Sequence, residues 1–162
     1  IFPIWFLLFF PPVIFVTLAG NFIIDSLVIL GCFFIFRIAS LQCNLKEFYK
    51  KSILKVWLFG FLADIIGGVI LFIIGIMGDS FGLPDNLISG INFDPFSNYI
   101  AVIIITFSML VSGMFIFLFN YGITLKDQIV DKKLRAKVAI TIAVVTIPCT
   151  FLLPTKWFYH GL

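Results

Sequence analysis

One carboxylate stands out as a group able to do chemistry. Asp64 lies near the middle of an apolar run from Ile53 to Met77, and an ionised carboxylate at the centre of a bilayer costs at least about 2.5–3.5 kcal/mol on insertion scales. Three states offset that cost: a proton on the carboxyl, a bound cation, or a positive group on another subunit. The plainer reading keeps Asp64 neutral and hydrogen-bonded to a hydroxyl such as Ser108 or Ser112, whereas the functional reading makes it a proton, cation or partner site. Arg37 and Lys55 lie at the ends of their runs and no Lys, Arg or His falls within the cores of the runs, so an internal salt bridge is not expected.

Asp25 and Asn21 form a second polar pair, four residues apart and so on one face of a helix. The functional reading has them line an outward-facing pocket leading towards Asp64. The plainer one places Asp25 a turn inside a helix N-terminus, where the dipole favours a carboxylate, with Asn21 as the N-cap. A catalytic aspartate dyad is not expected. Its carboxylates would have to share a proton or a water, and depths of about 15 Å for Asp64 and 5 Å for Asp25 separate the two by roughly 10 Å. Ile24-Asp25-Ser26 and Ala63-Asp64-Ile65 also lack a glycine-aspartate signature.

Other chemistry is poorly represented. There is no phosphate loop, no serine or cysteine nucleophile with a base, and no metal-ligand spacing. Cys32, Cys43 and Cys149 are an odd number without a CxxC pair, so they read as free thiols rather than a disulfide framework or a zinc site. His160, near the end of the chain, reads as solvated. No catalytic residue, metal or cofactor is expected, and the chain does not read as an enzyme.

The elements that must carry these residues follow from composition. Of 162 residues, 62% are hydrophobic and 12% charged, against roughly half and a quarter in soluble domains. A bilayer core of about 30 Å needs about 20 residues of helix to cross it. The apolar runs 1–19, 22–38, 53–77, 99–119 and 138–154 therefore predict an all-α bundle of about five transmembrane helices in one membrane domain. Pro3, Pro11 and Pro12 would kink the first run or make it re-entrant. Thr17-Leu18-Ala19 before Gly20 has the small residues of a signal-peptidase site. No basic stretch precedes it, so the run is expected to be retained, with a tight turn at Gly20-Asn21. Ser40 to Lys51 reads as a short amphipathic helix on the membrane surface, and Pro148 as a kink in the fifth helix that frees a carbonyl near Val144.

Charge sets the topology. The net charge is +3, and the basic residues form no uninterrupted tract of the sort that would bind nucleic acid. Arg37, Lys46, Lys50, Lys51 and Lys55 flank the connector 39–52. Lys126, Lys132, Lys133, Arg135 and Lys137 occupy the connector 120–137, whereas the loop 78–98 has no basic residue. Positive loops stay in the cytoplasm, so both connectors are expected inside. If the first run spans, the N-terminus is then cytoplasmic and the C-terminus outside. Phe81, Phe93, Phe96, Tyr99, Trp157 and Tyr159 would form an outer aromatic belt, with Trp57 on the inner side. The Ile- and Phe-rich apolar set suits a bacterial cytoplasmic membrane.

Gly60, Gly67, Gly68 and Gly75 recur along the third run at spacings that let membrane helices approach closely. They pack either within the chain or against a second copy or another subunit. The expected function is a small transport or permeation component for a cation, proton or small solute, using Asp64. The alternative is a non-catalytic accessory or assembly subunit that docks through the glycine face. Expected partners are the lipid bilayer, a homo-oligomer or a larger membrane complex, and no nucleic acid.

Overall fold

The computed structural model describes residues 3–41 and 44–157. Cys43, Phe158, Tyr159 and His160 therefore lie outside the described residues. Every element among the described residues is helical: α1 (Ile4–Leu7), α2 (Val13–Ile35), α3 (Leu45–Met77), α4 (Asp85–Asn92), α5 (Tyr99–Phe119) and α6 (Lys132–Val145), joined by short tight-helical turns. Among the described residues, four helical stretches are long and apolar enough to cross a membrane: Val13–Ile35, Leu45–Phe81, Tyr99–Thr124 and Lys132–Leu152.

The first apolar run is not one helix. Proline excludes the residue before it from the helical region, so Pro11-Pro12 ends the helical chain begun by α1 and a new helix starts at Val13. α2 then passes straight through Gly20-Asn21, where a turn was expected, and Asn21 lies inside the helix rather than capping it. Arg37, at φ 51°, turns the chain beyond the end of α2.

The surface helix and the third run are also one element. Asn44 caps α3 by accepting from the Lys46 amide at 3.1 Å, and α3 continues for 33 residues, about 50 Å at 1.5 Å per residue. That exceeds the roughly 30 Å of a bilayer core, so its first turns, with Lys46, Glu47, Lys50 and Lys51, extend past any apolar layer. α5 is capped by Asn98, which accepts from the Ile100 amide, and runs into a π-helical segment, Asn120–Thr124. α6 starts at its cap Asp131, which accepts from Lys133 N. It stops at Val145 instead of kinking, because Pro148 cannot supply the next ladder bond, and Cys149–Leu152 forms a separate tight turn.

The chain forms two compact units. The first comprises residues 3–17, 64–112 and 148–157, and its buried side chains include Trp5, Leu71, Ile91, Ala101, Ile105 and Phe151. The second comprises 18–63 and 113–147 around Ile29, Phe33, Phe48, Val56, Ile116, Ile129, Val138 and Ile142. In both units large apolar side chains are exposed as well as buried, and some small polar ones are buried. Ser52, Ser108, Ser112, Asn120 and Thr124 are buried, while Phe15, Leu27, Phe34, Ile103, Phe107, Leu110 and Val144 are exposed. A water-soluble chain rarely presents so continuous an apolar surface, whereas lipid tails solvate it without cost.

Candidate functional site

Within the first unit, α3 and α5 form a seam lined by small residues. Gly67 lets it close: a Cβ there would lie 3.1 Å from Phe151, 3.2 Å from the Ser108 carbonyl oxygen and 3.2 Å from Ser112 Cβ. Across the seam Ser108 Oγ donates to the Gly67 carbonyl at 2.6 Å, and Ser112 Oγ donates to Asp64 Oδ1 at 2.8 Å. Both serines are fully buried, whereas Asp64 is only half-buried. The hydroxyl partner expected from the sequence is thus Ser112. The seam gathers a carboxylate, two hydroxyls and a carbonyl on adjacent turns, an all-oxygen set of the kind hard cations select.

Asp25 and Asn21 belong to the second unit. Asp25 is 4% exposed, and beside its Oδ2 is the open space left by Gly60, where a Cβ would meet nothing nearer than that oxygen at 3.9 Å. Asn21, one turn earlier, is half-buried. Ser26, next to Asp25, bonds the Tyr49 hydroxyl at 2.9 Å, and Trp57 donates to the Leu18 carbonyl at 2.9 Å.

The remaining glycines are covered by the chain itself. A Cβ at Gly68 would lie 2.8 Å from the Phe9 ring, and one at Gly75 would lie 2.5 Å from Asn92 Oδ1, 3.2 Å from Ile91 and 3.3 Å from Trp5. Gly60 differs from the other three in facing a carboxylate rather than a packed side chain.

The seam is accompanied by a polar node that sequence reasoning missed. Thr155 Oγ1 accepts from the Ile4 amide at 2.8 Å and donates to the Asn92 carbonyl at 2.9 Å. Trp5 Nε1 donates to the Ile91 carbonyl at 3.1 Å, and Asn92 Nδ2 to the Gly75 carbonyl at 2.7 Å. All these groups are buried. Lys156, next to Thr155, pairs with Asp94, two residues beyond Asn92. The only sequence signal for this node was its unusual polarity beside apolar runs. Phe81, Phe96, Tyr99 and Trp157 are exposed.

Cys32 is buried, Cys149 is exposed, and both are free thiols. Among the described residues no group of three or more His, Cys, Asp or Glu side chains is arranged to hold a metal. Among the described residues, seam, node and spans together define a helical architecture with four stretches of membrane-crossing length and polarity. Compared with protein-family models, with curated proteins and with solved structures, the chain matches none.

Proposed function

We propose that the chain is a small multi-pass membrane protein that serves transport or permeation, in which Asp64 and Ser112 bind a proton or an oxygen-seeking cation. The observation that carries this reading is the 2.8 Å bond between Ser112 Oγ and Asp64 Oδ1 inside two candidate spans. A hydroxyl bond between membrane helices contributes about 0.6 kcal/mol on average and about 1.7 at most. An ionised carboxylate costs about 2.5–3.5 kcal/mol there, so the serine offsets only part of the charge. A bound proton or cation would lower that cost further, and the half-exposed carboxyl leaves it a way in.

The same reading sets the topology and place of the chain. With four spans, and with Ile4 bonded to Thr155, the N- and C-terminal segments share one side. The Lys- and Arg-rich connectors then face the cytoplasm of a bacterial-type membrane, and the N-terminus moves outside with the C-terminus. No residue is assigned a catalytic role. With Gly67, Gly68 and Gly75 filled by the chain's own side chains, nothing favours docking through a glycine face over the carboxylate reading.

Infrared difference spectroscopy on reconstituted protein tests the proposal, with Asp64→Asn as the control and Na⁺ or K⁺ added in turn. The expected result is a carboxyl band, absent from the variant, that changes with pH or shifts on adding a cation. A band from Asp64 indifferent to both would overturn the reading.

A further inference from the structure

The second unit contains a cleft that the Asp64 reading does not use. It has a volume of about 520 Å³ and is lined by Lys50, Lys51, Leu54, Lys55, Thr124, Asp127 and Gln128. Three lysines on the first turns of α3 face the π-helical end of α5 across it. The π turn is marked by the Leu125 amide reaching back to the Asn120 carbonyl at 2.9 Å, and such turns occur often at functional sites. Gln128 braces the floor, donating through Nε2 to Ser52 Oγ and to the Thr124 carbonyl, both at 3.0 Å.

Two features point to a ligand. Thr124 is 1% exposed and lines the cleft, yet its Oγ1 has no hydrogen-bond partner. A buried hydroxyl left unmatched costs about 1–3 kcal/mol, and an acceptor oxygen entering the cleft would remove that cost. The charges also fail to balance: three lysines face the single carboxylate of Asp127. Lys51 is held by Glu47 at 2.6 Å, while Lys50 and Lys55 make no ion pair among the described residues.

We infer that this cleft binds the phosphate of an anionic phospholipid headgroup, with Lys50 and Lys55 meeting its charge and the Thr124 hydroxyl donating to a phosphate oxygen. A free phosphate offers the same chemistry, but the lining itself favours a lipid. Leu54 is 62% exposed at the cleft, and Leu58, one turn further along α3, is 55% exposed, so an apolar track for an acyl chain leads directly away from the lysines. Basic pockets beside membrane helices hold anionic headgroups in this way. The inference rests on the membrane reading above but not on Asp64, and it is measured without any transport assay.

The test is the affinity of the detergent-solubilised protein for a short-chain phosphatidylglycerol, with phosphatidylcholine and inorganic phosphate as the other probes. The expected result is at least tenfold tighter binding of phosphatidylglycerol than of either. Neutralising Lys50 and Lys55 to Gln should weaken it by about fivefold each, about thirtyfold together. Thr124→Val should weaken it several-fold without altering its salt dependence. Lys132→Gln with Lys133→Gln removes the same charge from residues that do not line the cleft and should change affinity by less than twofold. Equal binding of the two lipids would overturn the inference, as would an equal loss in the Lys132 and Lys133 control. Inorganic phosphate binding as tightly as phosphatidylglycerol would overturn the lipid assignment.

Discussion

Replacing Gly67 by alanine tests the seam that holds Asp64. The added methyl would sit 3.1–3.2 Å from Phe151, the Ser108 carbonyl and Ser112 Cβ, against a comfortable carbon contact of about 3.5–4.0 Å. Two of those three neighbours are fixed to α5, one as backbone and one as a Cβ, so no rotamer change relieves the crowding. The helices must part by a few tenths of an ångström, which also lengthens the 2.8 Å bond from Ser112 to Asp64. Overpacking of this kind costs about 1–3 kcal/mol. Gly60→Ala is the matched control on the same helix: its methyl meets only Asp25 Oδ2 at 3.9 Å, and the exchange gains up to about 1 kcal/mol of helix propensity. Reversible unfolding in mixed micelles should therefore rank Gly60→Ala at or above the parent protein and Gly67→Ala about 1–3 kcal/mol below Gly60→Ala. The infrared band of Asp64 should shift in Gly67→Ala alone. Equal stability of the two variants would refute the argument that Gly67 sets the approach of α5.

Thr155→Val removes a hydroxyl that satisfies both the Ile4 amide and the Asn92 carbonyl. Leaving those groups buried and unmatched should cost about 1–3 kcal/mol, read as faster hydrogen exchange at the Ile4 amide with little change at α6. Topology is checked by an epitope placed ahead of Ile1 and by single cysteines at Lys46, Asp85 and Asp127 in a background lacking the native thiols. Four spans predict that the epitope and Asp85→Cys react from outside and that Lys46→Cys and Asp127→Cys do not. An epitope protected from outside would restore the five-span arrangement.

Periodicity and charge made the long helices legible, because 20-residue apolar runs and basic connectors leave few alternatives. What they could not reveal was where helices join. Asn21 is polar and follows a glycine, so it reads as a cap, yet in apolar surroundings a helix ends only where its ladder is broken, and Pro11-Pro12 breaks it nine residues earlier. Lys46 to Lys51 look like a separate surface helix because their pattern is amphipathic, but no residue between Lys51 and Ile53 stops the ladder, so α3 continues. Asp64 and its serine were readable from type and spacing. Thr124 was not: its sequence neighbours are those of a connector, and only the π turn carries its hydroxyl inward.

The bond from Ile4 to Thr155 spans 151 positions of sequence, and that has a consequence for assembly. A chain is made from its N-terminal side at roughly 5–20 residues per second, so once Ile4 is made its amide waits about 8–30 s for the Thr155 hydroxyl to be synthesised. Until then α1, too short to persist alone, lacks Thr155, although Ile91, whose carbonyl accepts from Trp5, is made earlier. α1 is therefore made well before the partner that fixes it, and a chain halted before Thr155 would leave the Ile4 amide without its hydroxyl acceptor.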